Sequence, residues 1–344
     1  MSENAALPPD AQTGELLVPN PQHTSATLDN PLTAAGVAAL AAAEIYARKA
    51  SAPATLRAYK ADWTHYAAWC AETGFVPVPA SPKTVGAYLA SLGKTHAPTT
   101  IRRRLSAIAK MHRFNDLPWN AAHRDIQEPL QGALRLHGKP VQKAAALTLE
   151  ILRKLVATCD DSNRGRRDRA MLLLGFAAAL RRSELVALQV TDVAEVAGGL
   201  QLRIGRGKTD QEAHGAEIGL PRGNHVATCP EKAFREWMAV SKHKAGPLFR
   251  KISRGDTIGH AAMHPDAVRH ILAQRIRMAG ITNAGFDRFS AHALRVGFIT
   301  EAYNKGVRDE DIMRHSRHRD HRTMRGYVQR ASLLTESPAG VIDL

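Results

Sequence analysis

The sequence predicts a mainly α chain in two domains, an all-α domain followed by an α+β domain with a small antiparallel sheet. Three observations predict it. A chain of 344 residues exceeds what one hydrophobic core usually serves. Apolar residues recur at three- and four-residue steps over most of the length. Between Asp192 and Pro221 that period gives way to alternation.

Residues 1–30 are rich in Pro, Ala, Asn and Thr without an apolar period, and read as a disordered tail. The all-α domain covers 31–137. Leu32, Val37, Leu40, Ile45 and Tyr46 place a helix over 32–50. Pro53 opens a second, with Leu56, Tyr59, Trp63, Tyr66 and Cys70 on one face. Ser81-Pro82 reads as an N-cap followed by proline at the first helical position, with the helix running to about Ser91. Thr99 or Thr100 starts a fourth through Ile101, Leu105, Ile108 and Met111, and a fifth covers about Ala121–Leu136.

Gly138-Lys139-Pro140 opens a basic linker over 138–145, since glycine and proline together discourage a continuing helix. The second domain spans 146–344. Thr148 caps a helix through Leu155, and 165–180 form a strongly apolar core helix. Leu200, Leu202 and Ile204 alternate, then Ile218 and Leu220, giving the sheet. Helices return at 230–241, 264–279, 291–305, 308–315 and 321–330. The apolar end, with Leu333, Leu334, Val341, Ile342 and Leu344, either docks on a neighbouring subunit or folds back on its own domain.

The formal net charge is +15 and the pI about 10.1. Arginine outnumbers lysine more than twofold, which suits bidentate phosphate recognition. Such a chain usually meets nucleic acid. No apolar run approaches the length of a membrane span, and the start of the chain lacks the pattern of a secretory signal. Cys70, Cys159 and Cys229 are too few and too scattered for a disulfide framework or zinc site, and fit a reducing cytoplasm.

Tyr327 stands nine residues after His318. Tyrosine is a poor nucleophile by default, because ionising it at pH 7 costs roughly 4 kcal/mol. It needs a proton acceptor and positive charge nearby. His292, His318, Arg181 and Arg295 offer both. His292 and Arg295, three apart in a helical stretch, share one face. They form either a solvated basic face or a pair in which Arg295 binds a phosphate oxygen beside His292. Arg181 follows the apolar helix and needs an anionic partner. Glu184, three residues on, is one candidate.

Gly207-Lys208-Thr209 invites a phosphate-loop reading. That motif needs glycine at the position of Leu202, and the segment reads as a strand and turn, so nucleotide binding is rejected. His315, His318 and His321 raise a metal alternative. Arg314, Arg317, Arg319 and Arg322 interleave them, and only Asp320 could add a carboxylate, so no metal site is expected.

The motifs Leu180-Arg181-Arg182-Ser183-Glu184-Leu185 and His292-Ala293-Leu294-Arg295, with the interval from His318 to Tyr327, resemble the tyrosine recombinase (phage integrase) family, most closely its Cre-type members. The resemblance covers roughly residues 32–335. It implies an all-α core-binding, SAM-like domain and a catalytic domain of the DNA breaking-rejoining fold, clamped on opposite faces of duplex DNA. Tyr327 would attack a phosphodiester and leave a 3′-phosphotyrosine link. Arg181, His292, Arg295 and His318 would contact the phosphate, Lys208 would protonate the leaving 5′ oxygen, and Glu184 would support them. Where the family commonly has Gly-His or Gly-Trp, this chain has Arg317-His318.

The resemblance further implies double-stranded DNA with an inverted-repeat site, a homotetramer on two sites, and no cofactor. Thr100, Arg102, Arg103 and Arg104 at a helix start, with Arg57 and Lys60, are candidate DNA contacts or a solvated basic face. A type IB topoisomerase and a catalytically silent DNA-binding protein are the rival expectations.

Overall fold

The computed structural model describes residues 33–138, 145–205, 215–282, 289–290 and 292–331. The expected tail, most of the linker, Lys208 and the terminal segment after Ala331 lie outside the described residues. The chain divides into two compact units, Met1–Pro140 and Val141–Leu344.

The first unit is built from α1 (Ala34–Lys49), α2 (Pro53–Thr73), α3 (Pro82–Ser91), α4 (Pro98–Phe114) and α5 (Arg124–His137). Its core gathers Trp63, Tyr66 and Cys70 of α2, Val85, Tyr88 and Leu89 of α3, Ile101 and Ile108 of α4, and Ile126 of α5. Ser81 caps α3 as expected, its hydroxyl accepting from Thr84 N at 3.1 Å. Helix α4 starts one residue before the expected threonines, because Pro98 has the φ of a first helical residue and no N–H to satisfy. Helix α5 starts three residues later than expected. Asn120 Oδ1 accepts from Ala122 N at 3.0 Å and holds that stretch in a turn, and His123 becomes the cap. The exposed Val37, Leu40, Ile45 and Tyr46 of α1 take no part in the core.

The second unit opens with α6 (Leu149–Ala157), α7 (Asn163–Ala177) and the short α8 (Arg182–Ala187). Thr148 caps α6 as expected, accepting from Ile151 N at 3.3 Å. Helix α7 is the axis of this core, with Ala170, Met171, Leu172 and Leu174 fully buried. It stops at Ala177, before the expected end. Ala179 adopts a left-handed φ of 47°, which no helix can continue through.

Strands β1 (Val193–Val196), β2 (Gly199–Ile204) and β3 (Ala216–Pro221) form an antiparallel sheet in that order. Leu200 faces Leu220 and Leu202 faces Ile218, so the alternating apolar positions all enter the core. After α9 (Pro230–Ser241) comes a hairpin of β4 (Arg250–Ile252) and β5 (Ile258–Ala262), which the sequence pattern did not predict. Then follow α10 (Pro265–Met278), α11 (Ala293–Asn304), α12 (Asp309–Ser316) and α13 (His321–Ala331).

Three features lock this unit. Asp168, 1% exposed, accepts from Arg167 Nη2 at 2.8 Å and from Arg275 Nη2 at 2.7 Å, joining α7 to α10. Gly297 lets α11 touch the chain at Leu147, since a Cβ there would lie 1.9 Å from the Leu147 carbonyl oxygen. Met324 of α13 sits with Ile299 and Ile312 in a small apolar cluster apart from the main core. Among the described residues, no helix is long and apolar enough to cross a membrane.

Candidate active site

Arg181 occupies the N-cap of α8, just past the turn at Ala179 that ends α7. Glu184, in the first turn of α8, holds it twice. One carboxylate oxygen accepts from Arg181 N at 2.9 Å and the other from Arg181 Nη1 at 2.6 Å. The local pairing considered from sequence is therefore present.

His292 precedes the first residue of α11 and already has helical dihedrals. It therefore keeps the three-residue relation to Arg295. Its Nε2 lies 2.9 Å from the Tyr327 hydroxyl oxygen. Burial, then the Arg295 and Arg181 guanidinium groups, pull the His292 pKa down to about 4. The imidazole is therefore neutral at pH 7. In the tautomer with its proton on Nδ1, Nε2 accepts from the tyrosine.

Arg295 is fully buried. Its Nη1 donates to Ala179 O at 2.7 Å, and its Nη2 lies 3.2 Å from the His318 ring nitrogens. It has no carboxylate partner among the described residues, and its Nε is buried with no hydrogen bond there. Burial, then Arg181 and Arg317, lower its pKa to about 9. Such a guanidinium is poised to accept an anion, because an uncompensated buried charge is costly.

His318 follows α12. Ser316 Oγ lies 2.7 Å from its Nδ1 and orients the ring. Burial, then Arg295 and Arg181, pull its pKa to about 3. Helix α13 brings the Tyr327 ring to 5.6 Å from the His292 ring and 5.9 Å from the His318 ring, centroid to centroid. Arg181, Glu184, His292, Arg295, His318 and Tyr327 thus form one connected constellation.

One member of it escaped the sequence reading. Arg317 closes α12 with a left-handed φ of 59°, where glycine is favoured. Its guanidinium turns inward and donates to Glu184 Oε2 at 2.8 Å. Burial works to raise the Glu184 pKa, but Arg317 and the Arg181 backbone and side chain outweigh it and hold the carboxyl below its ordinary range. The arginine in place of glycine was visible in the sequence. Its partner 133 residues away was not.

The three histidines of the metal alternative diverge. His315 Nε2 meets Ala177 O at 2.8 Å and its ring stacks on Phe298, while His321 is exposed at the start of α13. No group of three or more metal-ligating side chains occurs among the described residues.

In the first unit, Arg57 and Arg102 are exposed, and Lys60 and Thr100 are partly so. Arg103 is exposed too but is already committed to a carboxylate, and Arg104 departs from the outward face. Arg103 is bidentate on Asp62, at 2.6 and 2.9 Å. Arg104 is buried and donates to the Tyr88 hydroxyl at 3.2 Å. Consecutive helical residues point about 100° apart, so three arginines in a row cannot share one face.

A family model described as "Phage integrase family" matches residues 146–332. The chain is 29% identical over 293 residues to an integrase/recombinase xerD homolog of Selenomonas ruminantium, covering 84% of this chain and 85% of that protein. It is 30% identical over 265 residues to tyrosine recombinase XerD of Caulobacter vibrioides, covering 75% of this chain and 80% of that protein. Its fold is similar to XerH recombinase in a post-cleavage complex with palindromic difH substrate, at TM-score 0.62 and 16% identity, covering 88% and 84% of the two chains. It is also similar to a lambda integrase tetramer bound to a Holliday junction, at TM-score 0.56 and 16% identity, covering 87% and 78%.

Proposed function

The chain belongs to the phage integrase family, and from that membership we propose that it is a site-specific DNA recombinase working through a 3′-phosphotyrosine link. The observation that carries the chemistry is the 2.9 Å contact between the Tyr327 hydroxyl and a neutral His292, beside a buried Arg295 with no carboxylate partner among the described residues.

In this reading His292 Nε2 takes the proton as the Tyr327 oxygen attacks phosphorus. The new O–P bond forms as the bond to the 5′ oxygen breaks. Lys208 protonates that leaving oxygen, a role carried over from the family resemblance. Arg295 and Arg181 offset the charge that builds on the nonbridging oxygens, where fixed donors act most strongly, and the neutral His318 ring stands beside them as the further phosphate contact. The ester keeps the energy of the broken bond, so a 5′-hydroxyl from a partner strand reverses the step without ATP.

The Cre-type layout, an inverted-repeat site and a homotetramer on two sites belong to the same proposal. The DNA-bound neighbours, a palindromic substrate and a tetramer among them, support it. So does the charge of +15. The docking of residues 331–344 on a neighbouring subunit is part of it, tested by removing 335–344, which should reduce assembly more than DNA binding. Three free, buried cysteines support a cytoplasmic setting.

Covalent trapping tests the reading. Wild-type and Tyr327→Phe proteins are incubated with fragmented host DNA and EDTA, denatured in SDS, and the attached DNA is sequenced. Wild type should hold one inverted-repeat sequence, and Tyr327→Phe should lose attachment by roughly 10³-fold or more while still binding. Capture without sequence preference would favour a type IB topoisomerase. Binding without capture would favour a silent DNA-binding protein.

A further inference from the structure

Arg317 holds a position that glycine would occupy without strain, and its side chain turns toward the catalytic constellation rather than solvent. Its Nη1 donates to Ala178 O at 3.2 Å and His315 O at 3.0 Å. Its Nη2 donates to Ala179 O at 3.2 Å and Glu184 Oε2 at 2.8 Å. It therefore joins the end of α12 to the turn that carries Arg181.

The division of Glu184 is the informative part. One oxygen takes the Arg181 side chain at 2.6 Å, and the other takes Arg317 at 2.8 Å. The carboxylate is 4% exposed, Arg317 13% and Arg181 20%. Arg317 is thus the inner partner and Arg181 the outer one. A buried carboxylate that loses its only cation is strongly destabilised. Were Arg181 its sole partner, moving Arg181 onto a phosphate would strand Glu184.

We propose that Arg317 is a positioning residue for strand cleavage, the resident counter-ion of Glu184 that leaves Arg181 able to move onto the scissile phosphate. This rests on the reading of Arg181 as a phosphate-binding residue. Arg317 itself touches no reacting atom. Among the described residues it also brings the constellation to three arginines, Arg181, Arg295 and Arg317, against the one carboxylate of Glu184, one more positive charge than Arg181 and Arg295 alone would leave.

The test uses full-length protein and a duplex carrying the sequence recovered by covalent trapping. The rate of covalent complex formation and the affinity for that duplex are measured for four variants. Arg317→Gly removes strain and charge together. Arg317→Gln keeps donors for the carbonyls without the charge, and Arg317→Lys keeps the charge. The fourth is the double variant Arg317→Gly with Glu184→Gln.

The Gly and Gln variants should cleave about tenfold to a hundredfold more slowly, with affinity changed by less than about threefold. Lys should recover most of the rate. The double variant should cleave faster than Arg317→Gly, because an amide no longer traps Arg181. A purely structural bridge to the carbonyls predicts the reverse order, Gln active and Lys impaired, and no recovery in the double variant. That order, or a wild-type rate in Arg317→Gly, would overturn the inference. If Arg317→Gly fails to fold, the contrast of Gln with Lys still decides. Absence of any covalent complex with wild type would instead overturn the recombinase reading.

Discussion

The buried guanidinium of Arg295 donates at 2.7 Å to the carbonyl of Ala179, a residue in the left-handed region with φ 47°. One bond therefore ties the helix of the H-x-x-R pair to the turn that delivers Arg181. Left-handed backbone costs a non-glycine residue roughly 1–2 kcal/mol, and Ala179 is fully buried.

Ala179→Gly should therefore leave stability within about 1 kcal/mol of wild type or raise it, as relief of strain offsets the extra freedom of the unfolded chain. Ala179→Val, β-branched at the same φ, should lose more than about 2 kcal/mol. Urea unfolding of both variants measures the difference. Equal stabilities would remove strain from the account of this turn.

Gly297→Ala should cost roughly 1–3 kcal/mol, because its Cβ meets backbone rather than a movable side chain. The displaced helix carries Arg295 two residues earlier, so cleavage should fall more than DNA affinity does. A variant with wild-type melting temperature and cleavage rate would show that α11 shifts at no cost.

Stability should depend on pH through His292 and His318. Both are depressed in the folded protein, to about 4 and about 3, by burial first and then by Arg295 and Arg181. Between those values and about 6.5, the unfolded chain binds more protons than the native one. The stability linked to them is thus complete above about pH 6.5 and lost as pH falls toward about 4 for His292 and about 3 for His318. For His292 this is at most on the order of 3 kcal/mol, less what residual solvent access screens. Urea midpoints at pH 7.5, 6 and 5 should fall for wild type and flatten in His292→Asn with His318→Asn. Parallel profiles would assign the dependence to other groups.

Asp168→Ala should be more damaging than any surface charge change, at roughly 3–5 kcal/mol, since it leaves Arg167 and Arg275 buried without their carboxylate. Thermal unfolding measures it. A loss comparable to that of an exposed pair such as Lys154–Glu150 would mean water reaches the triad.

Local signals in the sequence carried most of the architecture. Ser81 and Thr148 act as the caps their positions announce, because capping joins residues only three apart. Leu200, Leu202, Ile218 and Leu220 enter one core face, as their alternation requires. The hairpin of β4 and β5 escaped because Arg250-Lys251-Ile252 is too short and polar to set a period. Arg181, His292, Arg295, His318 and Tyr327 could be recognised as a set from their order along the chain. The neutrality of His292 could not, because it arises from burial beside cations over a hundred residues apart in sequence. Arg317 was legible as a departure and illegible as a contact.

The small cluster under α13 has a consequence for when chemistry can occur. Met324 anchors the helix of Tyr327 against Ile299 and Ile312, outside the main core of the unit. Detaching α13 would sacrifice that cluster, the Arg325–Asp309 pair and the 2.9 Å contact of Tyr327 with His292, while the main core around α7 stayed packed. Local opening of α13 should therefore cost less free energy than global unfolding. If Tyr327 is the nucleophile, as proposed, detachment of α13 should withdraw it while the surrounding arginines stay in place. In hydrogen exchange, the amides of α13 should be released before those of α7 and α11.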